Sequence, residues 1–186
     1  MFIRDHMAVS AGWLGSLGAS LDKFGDSALV GPVSNDISGR QRTSFYSDNM
    51  EQLNNVSKGL SVMNKGRYRR VTRIISNLFI INKGLFLELG GFDERFALES
   101  YEDDDLCYRA LQAGCRLYVA EDCFVQYVAP PPLVKEVPNW YALQLGRNRA
   151  IAWDNLTEAL FNWKQPVTVS LCMIVTSTAS HVRTNS

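Results

Sequence analysis

The chain is poor in the features that mark disulfide-built, zinc-built and membrane-spanning proteins. Its 186 residues include two histidines, His6 and His181, and four cysteines, Cys107, Cys115, Cys123 and Cys172. No two cysteines form a Cys-x-x-Cys pair and neither histidine lies near one, which excludes a structural zinc site of the usual spacing. Nothing in their placement calls for an oxidising compartment, so they read as reduced thiols in a cytoplasmic protein. Long apolar runs are missing too. The longest, Val167 to Val175, is interrupted by Thr168 and Ser170 and falls far short of the roughly 20 residues that span a bilayer. Met1 to Gly12 carries Arg4, Asp5 and His6 and lacks the apolar core of a signal peptide, so no transmembrane or secretory segment is expected. Net charge is absent: 19 basic residues face 19 acidic ones. The densest basic stretch, Lys65 to Arg73, is short and reads as a solvated turn and strand edge, which argues against a nucleic-acid partner. There are no internal repeats and no glycine-rich nucleotide loop of known spacing.

What remains is ordinary globular material, 46% hydrophobic and 20% charged, in a chain long enough to bury about 70% of its unfolded surface. Met1 to Ile3 reads as the end of a buried strand. Trp13, Leu14, Leu17, Leu21 and Phe24 recur at helical spacing before Gly25. Ala28 to Gly31 predicts a brief strand closed by Pro32, Ser34 to Ser47 a loop, and Met50 to Leu60 a weak helix. Arg70 to Ile75 and Asn77 to Asn82 predict strands, and Lys83 to Leu89 a short helix ended by Gly90 and Gly91. A helix follows with Leu106, Cys107, Ala110 and Leu111 on one face and Gly114 as its cap. Arg116 to Ala120 and Cys123 to Val128 predict two short strands. Pro130 to Pro132 end that region, and a longer helix is expected from about Asn139 to Trp163. Strands alternating with helices argue for a layered α/β domain.

The stretch Gly90 to Gly114 concentrates the chemistry, because Glu102, Asp103, Asp104 and Asp105 follow one another where a helix should start. Carboxylates in a first helical turn satisfy free N–H groups and complement the macrodipole. One or two would suffice, and four repel each other unless cations or substrate hydroxyls compensate. Arg109, one turn after Asp105, can offset one of them.

Gly90-Gly91-Phe92-Asp93-Glu94, the acidic run, Asp105-Leu106, Arg109 and Ala113-Gly114 together resemble the acceptor-side signature of family 2 glycosyltransferases. Gly12-Trp13-Leu14, Val30 to Asn35, and Phe79 to Gly91 resemble the segments that precede it in that family, so the likeness covers about Met1 to Val128. It implies a partial GT-A type fold, a mixed sheet flanked by helices and followed by a C-terminal helical segment. The implied activity is inverting transfer of a sugar from a nucleotide-diphosphate donor to an acceptor hydroxyl. Asp103 matches the position of the family's general base. Glu102, Asp104 and Asn35 become candidates for holding acceptor or donor. A divalent cation, manganese or magnesium, would balance the charge of the departing diphosphate.

This sequence departs from the family where the metal motif belongs. Arg4-Asp5-His6 replaces an acidic pair flanking one residue. A guanidinium does not ligate a metal, which leaves Asp5 and His6 as the candidate ligands. The family's later histidine would fall near Gln126 or Tyr127, and neither is one. The organisation expected is an acceptor-side part over 1–128, a helical extension over 129–165 and a strand-like tail over 166–186. Within that tail Thr168 to Val175 resembles the first strand of a second transferase domain, as in a piece of a tandem enzyme. Two other readings stand beside transfer: a non-catalytic carbohydrate-binding or assembly module that keeps only the acceptor side, and a nucleotidyltransferase-like α/β enzyme, which the missing glycine-rich loop disfavours.

Overall fold

The computed structural model of the chain describes residues 1–35, 37–96, 100–128 and 138–161. Among them, β3 (Ala28–Ser34) and β6 (Arg116–Tyr127) run parallel and form the centre of a six-stranded mixed sheet. Outward from β3 come β5 (Leu78–Ile81) and the two-residue β1 (Phe2–Ile3), each antiparallel to its neighbour. The far edge of β6 is shared by β4 (Tyr68–Val71) along its first half and β2 (Met7–Val9) along its second. Every residue of β3 is buried, as a strand covered on both faces must be, and alternate side chains enter different layers. Leu29 and Val33 join the core under α2 (Met50–Met63) and α4 (Glu102–Gln112), with Leu53, Leu106, Ala110 and Leu117. Ala28 and Val30 join the core under α1 (Trp13–Phe24), with Leu17, Ile80 and Val125. Burying each such leucine or valine contributes about 1.5–3 kcal/mol, so both layers are needed.

Local chemistry sets the ends of the helices. The Asn49 side chain accepts from Gln52 N at 2.9 Å while the Gln52 side chain accepts from Asp48 N at 2.9 Å, a reciprocal pair that starts α2. Asn82 accepts from Gly84 N and Leu85 N and starts α3 (Lys83–Glu88). Gly114, at φ 81°, ends α4 in a left-handed turn in which Cys115 N donates to Ala110 O at 2.9 Å. The long α5 (Pro138–Phe161) follows β6 and packs on α4.

Several expectations need correction. The strand expected to close at Pro32 runs on to Ser34, because Pro32 lies where the register with β6 shifts and a ladder N–H is dispensable. Gln41 Nε2 donates to the Pro32 carbonyl there at 2.9 Å. The two strands expected between Arg116 and Val128 form one, with its irregularity between Ala120 and Phe124 opposite that shift. The strand expected at Arg70 to Ile75 lies earlier, and its second half leaves the sheet as a loop. Helix α2 continues three residues past Leu60, and β1 is a half-buried edge rather than a buried strand. The proposed strand at Val167 to Val175, the tail over 166–186 and Cys172 lie outside the described residues.

Candidate functional site

Three segments remote in sequence converge at the start of α4. Arg4 leaves the end of β1, Ser76 lies in the loop between β4 and β5, and Glu102 opens the helix. Ser76 is the hub. Its hydroxyl accepts from Arg4 at 2.8 Å and donates to Glu102 Oε1 at 2.9 Å, and its N–H donates to Asp103 Oδ2 at 3.0 Å. Arg4 and Glu102 also form a direct ion pair. The loop is pinned at two successive residues: Ile74 N donates to Cys107 Sγ at 3.2 Å, and Ile75 N donates to Gln41 Oε1 at 2.7 Å. Burial pushes the Cys107 thiol up to about 12, so it stays protonated and also donates to the Ile74 carbonyl at 3.5 Å.

Beside this hub lies a cavity of about 220 Å³ lined by Phe2, Arg4, Ser76, Phe92, Phe96 and Glu102. Phe2 and Phe92 meet edge to face with centroids 5.2 Å apart. An aromatic wall facing a charged, hydroxyl-bearing wall suits a ligand with both apolar and hydroxyl faces, as a sugar ring has.

The four consecutive carboxylates are tolerated because each has a different partner. Glu102 pairs with Arg4, while its Oε2 is buried and accepts no hydrogen bond from the described residues. Asp103 is 6% exposed; its Oδ1 accepts from Asp104 N at 2.9 Å and its Oδ2 from Ser76 N. Asp104 pairs with Arg73. Its carboxyl is pushed up by burial first and then by the Asp103 charge, with Arg73 pulling the other way. Asp105 takes two bonds from Arg109, at 2.8 and 2.6 Å, and one from Asn155 of α5 at 2.8 Å. The pairing of Asp105 with Arg109 follows the helical spacing. The partners of the other three could not be read from it.

The remaining candidates stand elsewhere. Asn35, at the carboxyl end of β3, donates to Tyr127 O at 3.0 Å and accepts from Tyr127 N at 2.6 Å, tying the ends of the two central strands. It lines a separate groove of about 500 Å³ with Arg42, Phe45, Tyr46 and Tyr127. Asp5 is almost wholly exposed, and its Oδ1 lies 2.7 Å from His6 Nδ1. The His6 ring meets Tyr127 edge on at 5.0 Å, and Tyr127 is one of the two positions, with Gln126, near which the family resemblance expects a histidine. Among the described residues no three acidic, histidine or cysteine side chains are grouped to hold a metal. Asp5 and His6 engage each other, and Arg4 brings a positive charge to the third place. The residues present do not fit a protein-built cation site.

Sequence reasoning missed Ser76, which lay between the strands expected at Arg70 to Ile75 and Asn77 to Asn82. It also missed Arg73, Phe96 and Asn155. No local pattern marks any of them, because their roles arise from contacts between segments.

No protein-family model and no curated protein sequence matches the chain. Among solved structures, the crystal structure of GalNAc-T7 with UDP, GalNAc and Mn2+ is similar over 69% of this chain, at 16% identity and a TM-score of 0.50. The match spans 27% of that chain. At this identity the likeness shows the fold, which is the glycosyltransferase GT-A type: a mixed sheet flanked by helices.

Proposed function

We propose that this chain forms the acceptor side of a family 2 type glycosyltransferase, which moves a sugar from a nucleoside-diphosphate donor to a carbohydrate hydroxyl with inversion. The observation that carries the reading is the meeting of Arg4 and Glu102 on Ser76, beside an aromatic cavity, in a fold of the GT-A type. Chemically, the acceptor oxygen attacks the anomeric carbon, the bond from that carbon to the diphosphate oxygen breaks, and the hydroxyl proton passes to a carboxylate. Holding both reactants in line supplies much of the rate. Asp103 occupies the position that the family resemblance gives to the base. Each of its oxygens accepts one backbone N–H, which fixes the carboxylate's orientation. Asp104 and Asp105 are committed to arginines and serve the scaffold.

A specific observation favours Glu102 as the alternative base. It lines the cavity, and its Oε2 accepts no hydrogen bond from the described residues. The test is turnover of nucleotide sugars by the polypeptide that contains these residues. Asp103→Asn should lower kcat by about a hundredfold or more with little change in donor affinity, the scale of a lost base. If Asp103→Asn stays active and Glu102→Gln is dead, the base is Glu102. If both variants turn over normally, neither carboxylate is the base; if the unmutated polypeptide turns over no nucleotide sugar, the transferase reading fails and a non-catalytic carbohydrate-binding module takes its place. The same proposal places the protein in the cytoplasm, in keeping with the free, buried thiols of Cys107, Cys115 and Cys123.

A further inference from the structure

The two residues just before the acidic run are the only non-glycine residues with positive φ among those described: Ser100 at 89° and Tyr101 at 74°. Left-handed geometry is costly for residues with a side chain and persists only where the surroundings impose it. Tyr101 is the N-cap of α4, and its own side chain makes no capping bond. The torsions at these two residues therefore set the direction in which Glu102 and Asp103 leave the loop.

The constraint comes from α5. Asn148 is fully buried, and its amide donates to the Ser100 carbonyl at 3.1 Å. Two turns on, on the same face of α5, Asn155 donates to Asp105 at 2.8 Å and to Asp93 at 3.3 Å, and accepts from Arg95 at 2.5 Å. One helix face thus grips the loop before α4, the strained turn and the first turn of α4 itself.

We propose that Asn148 is a positioning residue for the carboxylates at the start of α4. It acts by holding Ser100 and Tyr101 left-handed, which makes α5 part of the site rather than an appendage. The role for catalysis rests on the glycosyltransferase reading above; the clamp itself does not.

The experiment separates the two. In Asn148→Ala, amide exchange at Asp103 to Leu106 should accelerate by about tenfold or more while β3 and β6 keep their protection. Replacing Ser100 and Tyr101 by glycine removes the cost of positive φ, so adding both glycines to Asn148→Ala should restore slow exchange. In the wild-type background the glycine pair should leave α4 protected, which keeps the test decisive if Asn148→Ala alone folds poorly. Where turnover is measured, Asn148→Ala should lower kcat with donor KM nearly unchanged, and the glycine pair should recover it. Exchange in α4 that is unmoved by Asn148→Ala, or loss that the glycines do not repair, overturns the proposal and leaves Asn148 a packing residue. The expected exchange and rescue in a protein that turns over no nucleotide sugar would uphold the clamp and overturn the transferase reading.

Discussion

Arg4 and Glu102 stand 98 positions apart in the chain and share an ion pair, with the Ser76 hydroxyl bonded to both. The side chains are 23% and 14% exposed, so neither charge is well hydrated. The pair closes the sheet edge at β1 onto the helix that carries the acidic run, coupling the N-terminal triplet to the candidate base.

Removing one member of that pair leaves the other charge poorly compensated. Arg4→Ala should therefore destabilise the chain by about 1–3 kcal/mol, below the range for a fully buried pair because both groups reach some water. Arg4→Met combined with Glu102→Gln should recover most of the loss. Urea unfolding of the single and double variants measures it, and simple additivity would show that the two do not act as a unit.

Gly31 tests the packing between β3 and the loop that carries Ser76. A Cβ placed there would lie 2.6 Å from Gln41 Nε2 and 2.8 Å from Ile74 Cγ2. Gln41 links the Pro32 carbonyl to Ile75 N, so a displaced Gln41 loosens the loop as well. Gly31→Ala should cost about 1–3 kcal/mol through overpacking. A thermal midpoint equal to wild type would contradict this.

Acid should act through Asp93. Its bonds to Arg95 above all hold its carboxyl well below the usual range, with the Asn155 bond a smaller contribution and burial opposing both. A depressed folded-state value means stability that is complete above the unfolded value of 3.8 and is lost as pH falls below it. Asp104, whose carboxyl is raised, works in the opposite sense: its contribution falls as pH rises through the carboxylate range. Asp93→Asn should flatten the acid limb of a stability–pH curve, and Asp104→Asn should steepen it. Denaturation midpoints across about pH 2 to about pH 6 distinguish the two signs.

Binding of nucleotide-diphosphate sugars by this chain should be weak and should gain little from manganese. Asp5 and His6 supply two donors, which bond each other, and Arg4 sits beside them. Calorimetry with uridine- and thymidine-diphosphate sugars, with and without the metal, reads this directly. Sub-millimolar affinity that depends on manganese would show that the triplet does hold a cation.

Much of this protein was legible in sequence because its determinants are local. The spacing of Trp13, Leu17 and Leu21 sets α1, and the apolar face of Leu106, Cys107 and Ala110 with Gly114 beyond it sets α4 to within a residue. Asp105 and Arg109 pair because four helical residues bring them together. Where the sheet decides, local pattern misleads. Pro32 looked like the end of a strand, yet the parallel partner β6 shifts register at that point and lets β3 continue. The site itself belonged almost wholly to tertiary structure. Arg4, Ser76, Glu102 and Asn148 come from an edge strand, a loop, a helix start and a later helix. Their hydrogen-bonding capacity is written in the sequence, but which group meets which depends on how the layers pack.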